Sequence, residues 1–193
     1  MAGPRILVFS GSVRTGSFNA RLAALAVKEL LIAEAEVTRI SLIDFPMPIY
    51  DGDVEAKSGP PDNAQKLKRL MMLHRGVFIT SPEYNASITP LLKNTIDWIS
   101  RVRGQNEAPL AAFRNRIFAL GAASPGTLGG YRGLMALRQV LELGCGATVL
   151  PEQVAVRDAA NAFDADDNLR DARTADALKH LLRRLVDAAR YLP

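Results

Sequence analysis

Five apolar runs of strand length recur along the chain with helical stretches between them: RILVFSGS (5–12), EVTRISLI (36–43), GVFITSPE (76–83), NRIFALGAAS (115–124) and ATVLPEQVAV (147–156). The first, third and fourth are almost continuously apolar and rich in Val, Ile and Phe, as strands covered on both faces must be. The intervening periodicity predicts helices over 17–33, 62–74, 89–103 and 129–144, and a last one over about 169–191. In that last helix Leu178, Leu181, Leu182, Leu185 and Ala189 fall on one face, while Lys179, Arg183, Arg184 and Asp187 face water. Strands alternating with helices predict an α/β architecture: a three-layer, doubly wound sheet of five parallel strands. No repeat, low-complexity tract or linker interrupts it, so residues 1–193 read as a single domain.

Two stretches break the rhythm. Residues 45–61, with four prolines and two glycines, are too long and irregular for a connector and are expected to form a surface loop with a function. Residues 157–168 are acidic and turn-forming, and their composition favours a solvated lead-in to the last helix.

Composition narrows the function classes. With 193 residues, 48% hydrophobic and 23% charged, the chain can bury a real core. No apolar run approaches the roughly 20 residues of a membrane span, and the N-terminus lacks the pattern of a signal peptide, so a soluble, cytoplasmic protein is expected. One cysteine, Cys145, and two histidines, His74 and His180, leave no disulfide framework and no ordinary zinc cluster. Redox chemistry would therefore need a borrowed cofactor. The formal charge is +4, and the excess sits in residues 101–150, where six arginines face only Glu107 and Glu142. With 6% aromatic residues and no dense basic patch, nucleic acid is not the expected partner. Anionic small molecules or an oligomer interface suit the surplus better.

The first strand runs into Ser10-Gly11-Ser12-Val13-Arg14-Thr15-Gly16-Ser17-Phe18-Asn19 before a helix begins. Unpaired N–H groups and the helix dipole at that position favour an anion. Ser12, Ser17 and Asn19 can donate further hydrogen bonds, and Arg14 can neutralise charge. The pattern is neither GxxxxGK[ST] nor GxGxxG, which points away from nucleoside triphosphates and dinucleotides and toward a phosphate monoester. Helix capping by Ser17 or Asn19 explains one of these polar groups but not all of them. Cys145 has no arginine six positions on, so it is not a phosphatase nucleophile, and its Gly-Cys-Gly setting reads as core.

The third strand ends in Thr80-Ser81-Pro82-Glu83-Tyr84-Asn85-Ala86-Ser87-Ile88-Thr89-Pro90, where Thr89 and Pro90 read as the N-cap and first residue of the next helix. With strand order 2-1-3-4-5, the loops after strands one and three face each other across the topological switch point, where ligands of such sheets bind. Phosphate on the first loop leaves a flat ring against Pro82, Glu83, Tyr84 and Asn85. Asn85 and nearby amides could bond the ring's polar edge, and Tyr84 could pack beside it.

The segments GSVRTGSFN (11–19), PIYDGDV (48–54), SPEYNASITPLLKNTIDWISR (81–101) and SPGTLGG (124–130) closely resemble the NADPH-dependent FMN reductase family, flavodoxin-like proteins that include chromate, quinone and azo-dye reductases. The resemblance is collinear over most of the chain. It implies noncovalent FMN, NADPH or NADH as cosubstrate, and a homodimer or homotetramer. It further implies a phosphate loop at Ser12, Arg14, Ser17, Phe18 and Asn19, an isoalloxazine loop at Pro82, Glu83, Tyr84 and Asn85, and a third contact at Ser124. Pro125, after that serine, departs from the family pattern. The implied activity is hydride transfer from NAD(P)H through flavin N5 to flavins, quinones, azo compounds or metal oxyanions, with both substrates using one face in ping-pong order. No acid or base is nominated. The alternative is a flavin-binding electron carrier or regulatory module with little turnover, although carriers of this fold are typically acidic.

Several residues compete for a role. Glu83 could stay ionised near the flavin or pair with an arginine of a neighbouring subunit, and an indirect structural role is favoured. Leu91, Trp98 and Val102 widen the apolar face of the helix after Pro90 beyond what one sheet covers, which suggests subunit contact. Arg101 and Arg103 could pair there or attract the phosphates of NADPH. Tyr50, Asp51 and Tyr131 could line an acceptor pocket or be ordinary exposed residues. His74 ends a helix, where a cation suits the dipole, and His180 reads as a surface residue.

Overall fold

The computed structural model describes residues 3–191. Its five strands are β1 (Arg5–Ser10), β2 (Glu36–Arg39), β3 (Gly76–Thr80), β4 (Ile117–Ala123) and β5 (Thr148–Val156), all parallel and in the order β2-β1-β3-β4-β5. The helices are α1 (Phe18–Ile32), α2 (Gly52–Ser58), α3 (Asp62–Leu73), α4 (Pro90–Arg101), α5 (Tyr131–Gln139) and α6 (Ala172–Arg190). The order reverses between β1 and β3, which places the switch point where the loops after those strands were expected to meet.

Two cores explain the continuous apolar runs. On one face Ile6, Val8, Phe78 and Ala119 pack against Leu22, Ala26 and Leu30 of α1 and Leu178, Leu182 and Leu185 of α6. On the other, Leu7, Phe9, Val77, Ile79, Phe118 and Leu120 pack against Leu67 and Met71 of α3, Leu92 and Ile96 of α4, and Leu134 and Leu137 of α5. Successive residues in the middle of β1, β3 and β4 alternate between the two cores, so those stretches are apolar throughout.

Several features depart from the sequence expectations. β2 ends at Arg39, and a short 3₁₀ turn, Leu42–Asp44, follows. The proline-rich stretch contains α2, whose N-cap Asp51 accepts from the N–H groups of Asp53 and Val54. It also straps α4. Asn94 Oδ1 accepts from the Tyr50 N–H at 2.7 Å, Asn94 Nδ2 and Trp98 Nε1 both donate to the Pro48 carbonyl, and the Tyr50 and Trp98 rings meet edge to face at 5.0 Å. Trp98 is fully buried under its own chain, which takes it out of the expected excess apolar face, while Leu91 and Val102 stay half-buried. Arg101 likewise pairs within the chain, with Glu55, and Glu55 also accepts from the Tyr50 hydroxyl.

The acidic segment 157–168 is packed rather than merely solvated. Ala159 and Phe163 are buried, Arg21 lies over the Phe163 ring at 4.5 Å and its Nε donates to Asp167 at 2.8 Å. Two charges and an aromatic anchor therefore dock this loop on α1. Past Gln139, α5 widens into a π turn, Val140–Gly144. His74 is a buried C-cap of α3, and burial pushes its pKa down, against the cation that would suit the helix dipole. Cys145 is buried, with its thiol pushed up to about 11 by desolvation, as suits a core residue.

Candidate functional site

At the carboxyl edge of the sheet, the loops after β1, β3 and β4 enclose a cleft of about 150 Å³. It is lined by Ser12, Arg14, Ser17, Phe18, Asn19, Pro82, Glu83, Tyr84 and Ser124, together with Pro125, the departure from the family pattern, and Ala123, which sequence reasoning did not single out. Of the ten residues singled out as cofactor contacts, only Asn85 stands outside this lining. Larger hollows exist, one of about 600 Å³ at the opposite edge between Arg5, Arg75 and Arg190. That one contains neither a helix N-terminus nor the switch point, the two features that direct ligands in this architecture.

The cleft is built from backbone geometry. Ser17 caps α1, its hydroxyl oxygen accepting from the Ala20 N–H at 3.3 Å. Phe18 and Asn19, the first two helical residues, therefore present N–H groups with no intrahelical acceptor. Gly16, at φ 68°, turns the chain into that cap with open space where a side chain would be. Arg14 is exposed, its guanidinium 5.9 Å from the Phe18 ring.

Buried hydroxyls and one carboxamide weld the loops together. Thr89 both caps α4, accepting from the Leu92 N–H at 3.1 Å, and donates to the Gly11 carbonyl at 2.7 Å. Thr80 donates to the Asn19 carbonyl at 2.8 Å. The Asn19 side chain is spent on the backbone of Ala123, so only its N–H faces the cleft as a donor. The sequence read Asn19 as a side-chain donor to phosphate. The spacing cannot show which way a buried amide points, and the polar residues Thr80 and Thr89 at the strand and helix ends were the available signal for the weld.

Glu83 holds the second wall. Its carboxylate accepts from Arg132 Nε at 2.7 Å and from the Gly133 N–H at 3.2 Å, which fastens the loop after β3 to the first turn of α5. The arginine partner is the chain's own, not a neighbour's. Burial pulls the Glu83 pKa upward, but the Arg132 and Gly133 hydrogen bonds outweigh it, and the carboxyl stays below its ordinary value. Beyond Glu83, Tyr84 and Ser87 exchange two 2.9 Å hydrogen bonds around Asn85 and Ala86, both at positive φ. The amides of its two central residues have no hydrogen-bond partner among the described residues. Tyr84 is half exposed on its rim, and Tyr131 is exposed on the first turn of α5.

The donor set is suited to one phosphate and one polar planar edge: unpaired helix and turn amides, hydroxyls and Arg14, with the single carboxylate already neutralised by Arg132. The enclosed volume is well below the roughly 300–1,000 Å³ of pockets that engulf a ligand. A larger cofactor anchored here keeps part of itself open to a second molecule. These properties fit a flavin mononucleotide.

The comparisons agree. The chain matches the NADPH-dependent FMN reductase family over residues 4–161. It is 36% identical over 138 residues to a quinone reductase of Escherichia coli strain K12, covering 71% of this chain and 69% of that one. It is 31% identical over 182 residues to an NAD(P)H-dependent FMN reductase of Pseudomonas aeruginosa, covering 94% and 92%. Among solved structures it superposes on a flavoenzyme NAD(P)H:(acceptor) oxidoreductase of Paracoccus denitrificans with a TM-score of 0.79 and 27% identity, over 98% of each chain. A flavodoxin-like fold whose loops present these donors at the switch point, together with this match, means that the chain belongs to the NADPH-dependent FMN reductase family.

Proposed function

We propose that the protein holds FMN in the cleft between the loops after β1, β3 and β4 and reduces quinone-type acceptors with NADPH or NADH in two successive half-reactions at one open face. FMN, when bound, supplies the hydride-accepting and electron-donating chemistry. The chain's own residues position and polarise. Arg14, the hydroxyls of Ser12 and Ser17 and the first-turn amides of α1 take the phosphate. Pro82, Tyr84 and the unpaired amides of Asn85 and Ala86 form the shelf for the ring, and Ser124 closes the third side. Glu83 acts through Arg132 and Gly133, fixing the shelf rather than touching the cofactor.

The observation that carries this reading is the concentration of unsatisfied donors in a cleft whose one carboxylate is neutralised. It suits chemistry carried by the cofactor, with the chain's own residues binding and orienting it. Flavins, azo compounds and metal oxyanions are further candidate acceptors. Assembly into a homodimer or homotetramer is part of the proposal and draws on the family resemblance, since Trp98 and Arg101 are engaged within the chain.

Stopped-flow mixing of the yellow protein with each nicotinamide, without oxygen, tests the first half-reaction, and later addition of quinone, azo dye or chromate tests the second. Bleaching by NAD(P)H followed by reoxidation without a ternary complex is expected. A yellow protein that NAD(P)H leaves unbleached would overturn the enzymatic reading, and failure to take up FMN would overturn the site.

A further inference from the structure

On the other side of the phosphate loop, toward the sheet edge, lies a second hollow of about 430 Å³, lined by Ser10, Ser12, Arg39, Ser41, Asp44 and Phe45 among others. β2 stops at Arg39, in register with Val8, two residues before the Ser10 that opens the phosphate loop. The chain then turns: the Ile40 N–H donates to the Val8 carbonyl at 3.1 Å, and Ser41 caps the 3₁₀ turn. The hollow therefore adjoins the cleft and shares Ser12 with it.

Its chemistry is that of an anion site with an apolar wall. Arg39 is exposed, makes one 3.3 Å hydrogen bond to the Ala20 carbonyl and forms no ion pair among the described residues. A guanidinium has five donors, so most of this fork is unspent. Ser10, Ser12 and Ser41 each already accept a backbone N–H, from Ser12, Arg14 and Ile43, which leaves their hydroxyl protons as donors. Phe45 supplies a ring face, and the α1 side of the hollow presents only Ala20 and Ala23, so no bulky side chain fills it. Asp44 is the one carboxylate on the rim and does not pair with Arg39.

We infer that this hollow takes the adenosine 2′-phosphate end of NADPH, with Arg39 the residue that separates NADPH from NADH. The inference rests on the FMN reading of the neighbouring cleft. NADPH carries a phosphate monoester that NADH lacks, and Arg14 with the α1 amides is already committed to the cofactor, so a second cation is required. Arg101 and Arg103, the sequence candidates, do not meet the need within their own chain. α4 starts beside the cleft at Pro90, and Arg101 lies eleven residues on, about 16 Å down the helix axis. Arg101 is also engaged with Glu55.

The test is calorimetric titration of the FMN-loaded protein with 2′,5′-ADP and with 5′-AMP, two non-reducing probes that differ only in the 2′-phosphate. Prior loading with FMN keeps the phosphate loop out of the measurement. The 2′,5′-ADP is expected to bind tighter by on the order of tenfold or more, the value of a charge-assisted contact. Arg39→Ala should abolish the difference, Arg39→Lys should keep part of it, and Asp44→Asn should enlarge it, all with FMN retention unchanged. Equal binding of the two probes, or a preference that survives Arg39→Ala, would overturn the assignment. So would retention of FAD over FMN that Arg39→Ala reverses, because the hollow would then hold a flavin adenylate. A protein that takes up no FMN removes the flavin reading and this inference with it, whereas a yellow protein indifferent to the 2′-phosphate removes this inference alone.

Discussion

The side-chain amide of Asn19 and the backbone of Ala123 exchange two hydrogen bonds, Nδ2 donating to the Ala123 carbonyl at 2.8 Å and the Ala123 N–H donating to Oδ1 at 3.0 Å. Asn19 thus mimics a peptide group and completes the end of β4, while its own carbonyl accepts from Thr80 at the end of β3. One residue in the first turn of α1 fixes the ends of two strands, and with them two walls of the cleft. Asn19→Ala would leave two buried backbone groups of Ala123 unpaired, so a stability loss of about 2–4 kcal/mol is expected. Urea unfolding of the FMN-free protein measures it. A loss confined to FMN affinity, with stability intact, would show Asn19 to be a ligand rather than a fastener.

Arg14 and Ser17 lie three residues apart and should fail in different ways. Ser17→Ala removes the N-cap of α1 and should cost about 1 kcal/mol of stability. Arg14 is exposed, and its side chain makes only a 5.9 Å contact with the Phe18 ring, so Arg14→Ala should leave the unfolding midpoint nearly unchanged. Its FMN affinity should fall by on the order of tenfold or more, as for loss of a charged phosphate contact. Fluorescence titration of FMN beside urea unfolding separates the two. Equal FMN affinity in wild type and Arg14→Ala would move the phosphate elsewhere.

The contrast between these residues shows what the chain made readable. Runs buried on both faces announced β1, β3 and β4, and polar residues packed between a strand and a helix announced the loops that line the cleft. Direction was the missing information. Ser17 and Asn19 look alike in sequence, yet one faces the cap and the other reaches across to β4. The wide apolar face of α4 indicated that something covers Trp98 but could not tell a partner subunit from the chain's own Pro48–Tyr50 strap. In the same way the aspartates of 157–168 masked Phe163, a single aromatic anchor that composition does not weigh.

The C-terminus of α1 offers a stabilising change far from the cleft. The Ala35 N–H donates to the Leu30 carbonyl at 3.1 Å and the Glu34 N–H to the Leu31 carbonyl at 3.0 Å, the paired bonds of a Schellman cap. Glu34 sits at the left-handed position of that cap with φ 62°, where glycine has no steric penalty. Glu34→Gly should raise stability by up to about 1 kcal/mol, the strain relieved being partly offset by the freer unfolded chain. Thermal unfolding of the two proteins checks it, and a lower midpoint for the glycine variant would mean that the Glu34 side chain contributes more than its backbone strain costs.

His74 should make the fold acid-sensitive. Its Nδ1 lies 2.6 Å from the Leu70 carbonyl and its Nε2 2.8 Å from the Thr38 hydroxyl. The carbonyl can only accept, so Nδ1 carries a proton, and because burial disfavours the charged ring, Nε2 accepts from the Thr38 hydroxyl, which gives a neutral ring joining α3 to the edge strand β2. Burial holds the pKa below its ordinary value, with Arg5 and Arg116 adding to the effect and the Leu70 bond opposing it. Because the folded value is depressed, the unfolded chain takes up the proton first as pH falls. The contribution of His74 is therefore complete above about pH 6.5 and drains away below it as pH approaches the folded value, at no more than about 1.4 kcal/mol per pH unit for one proton. Urea midpoints above and below that pH should drop more steeply in wild type than in His74→Gln, which cannot titrate. Parallel profiles would place the charged form of His74 in the folded protein and remove the neutral bridge between β2 and α3.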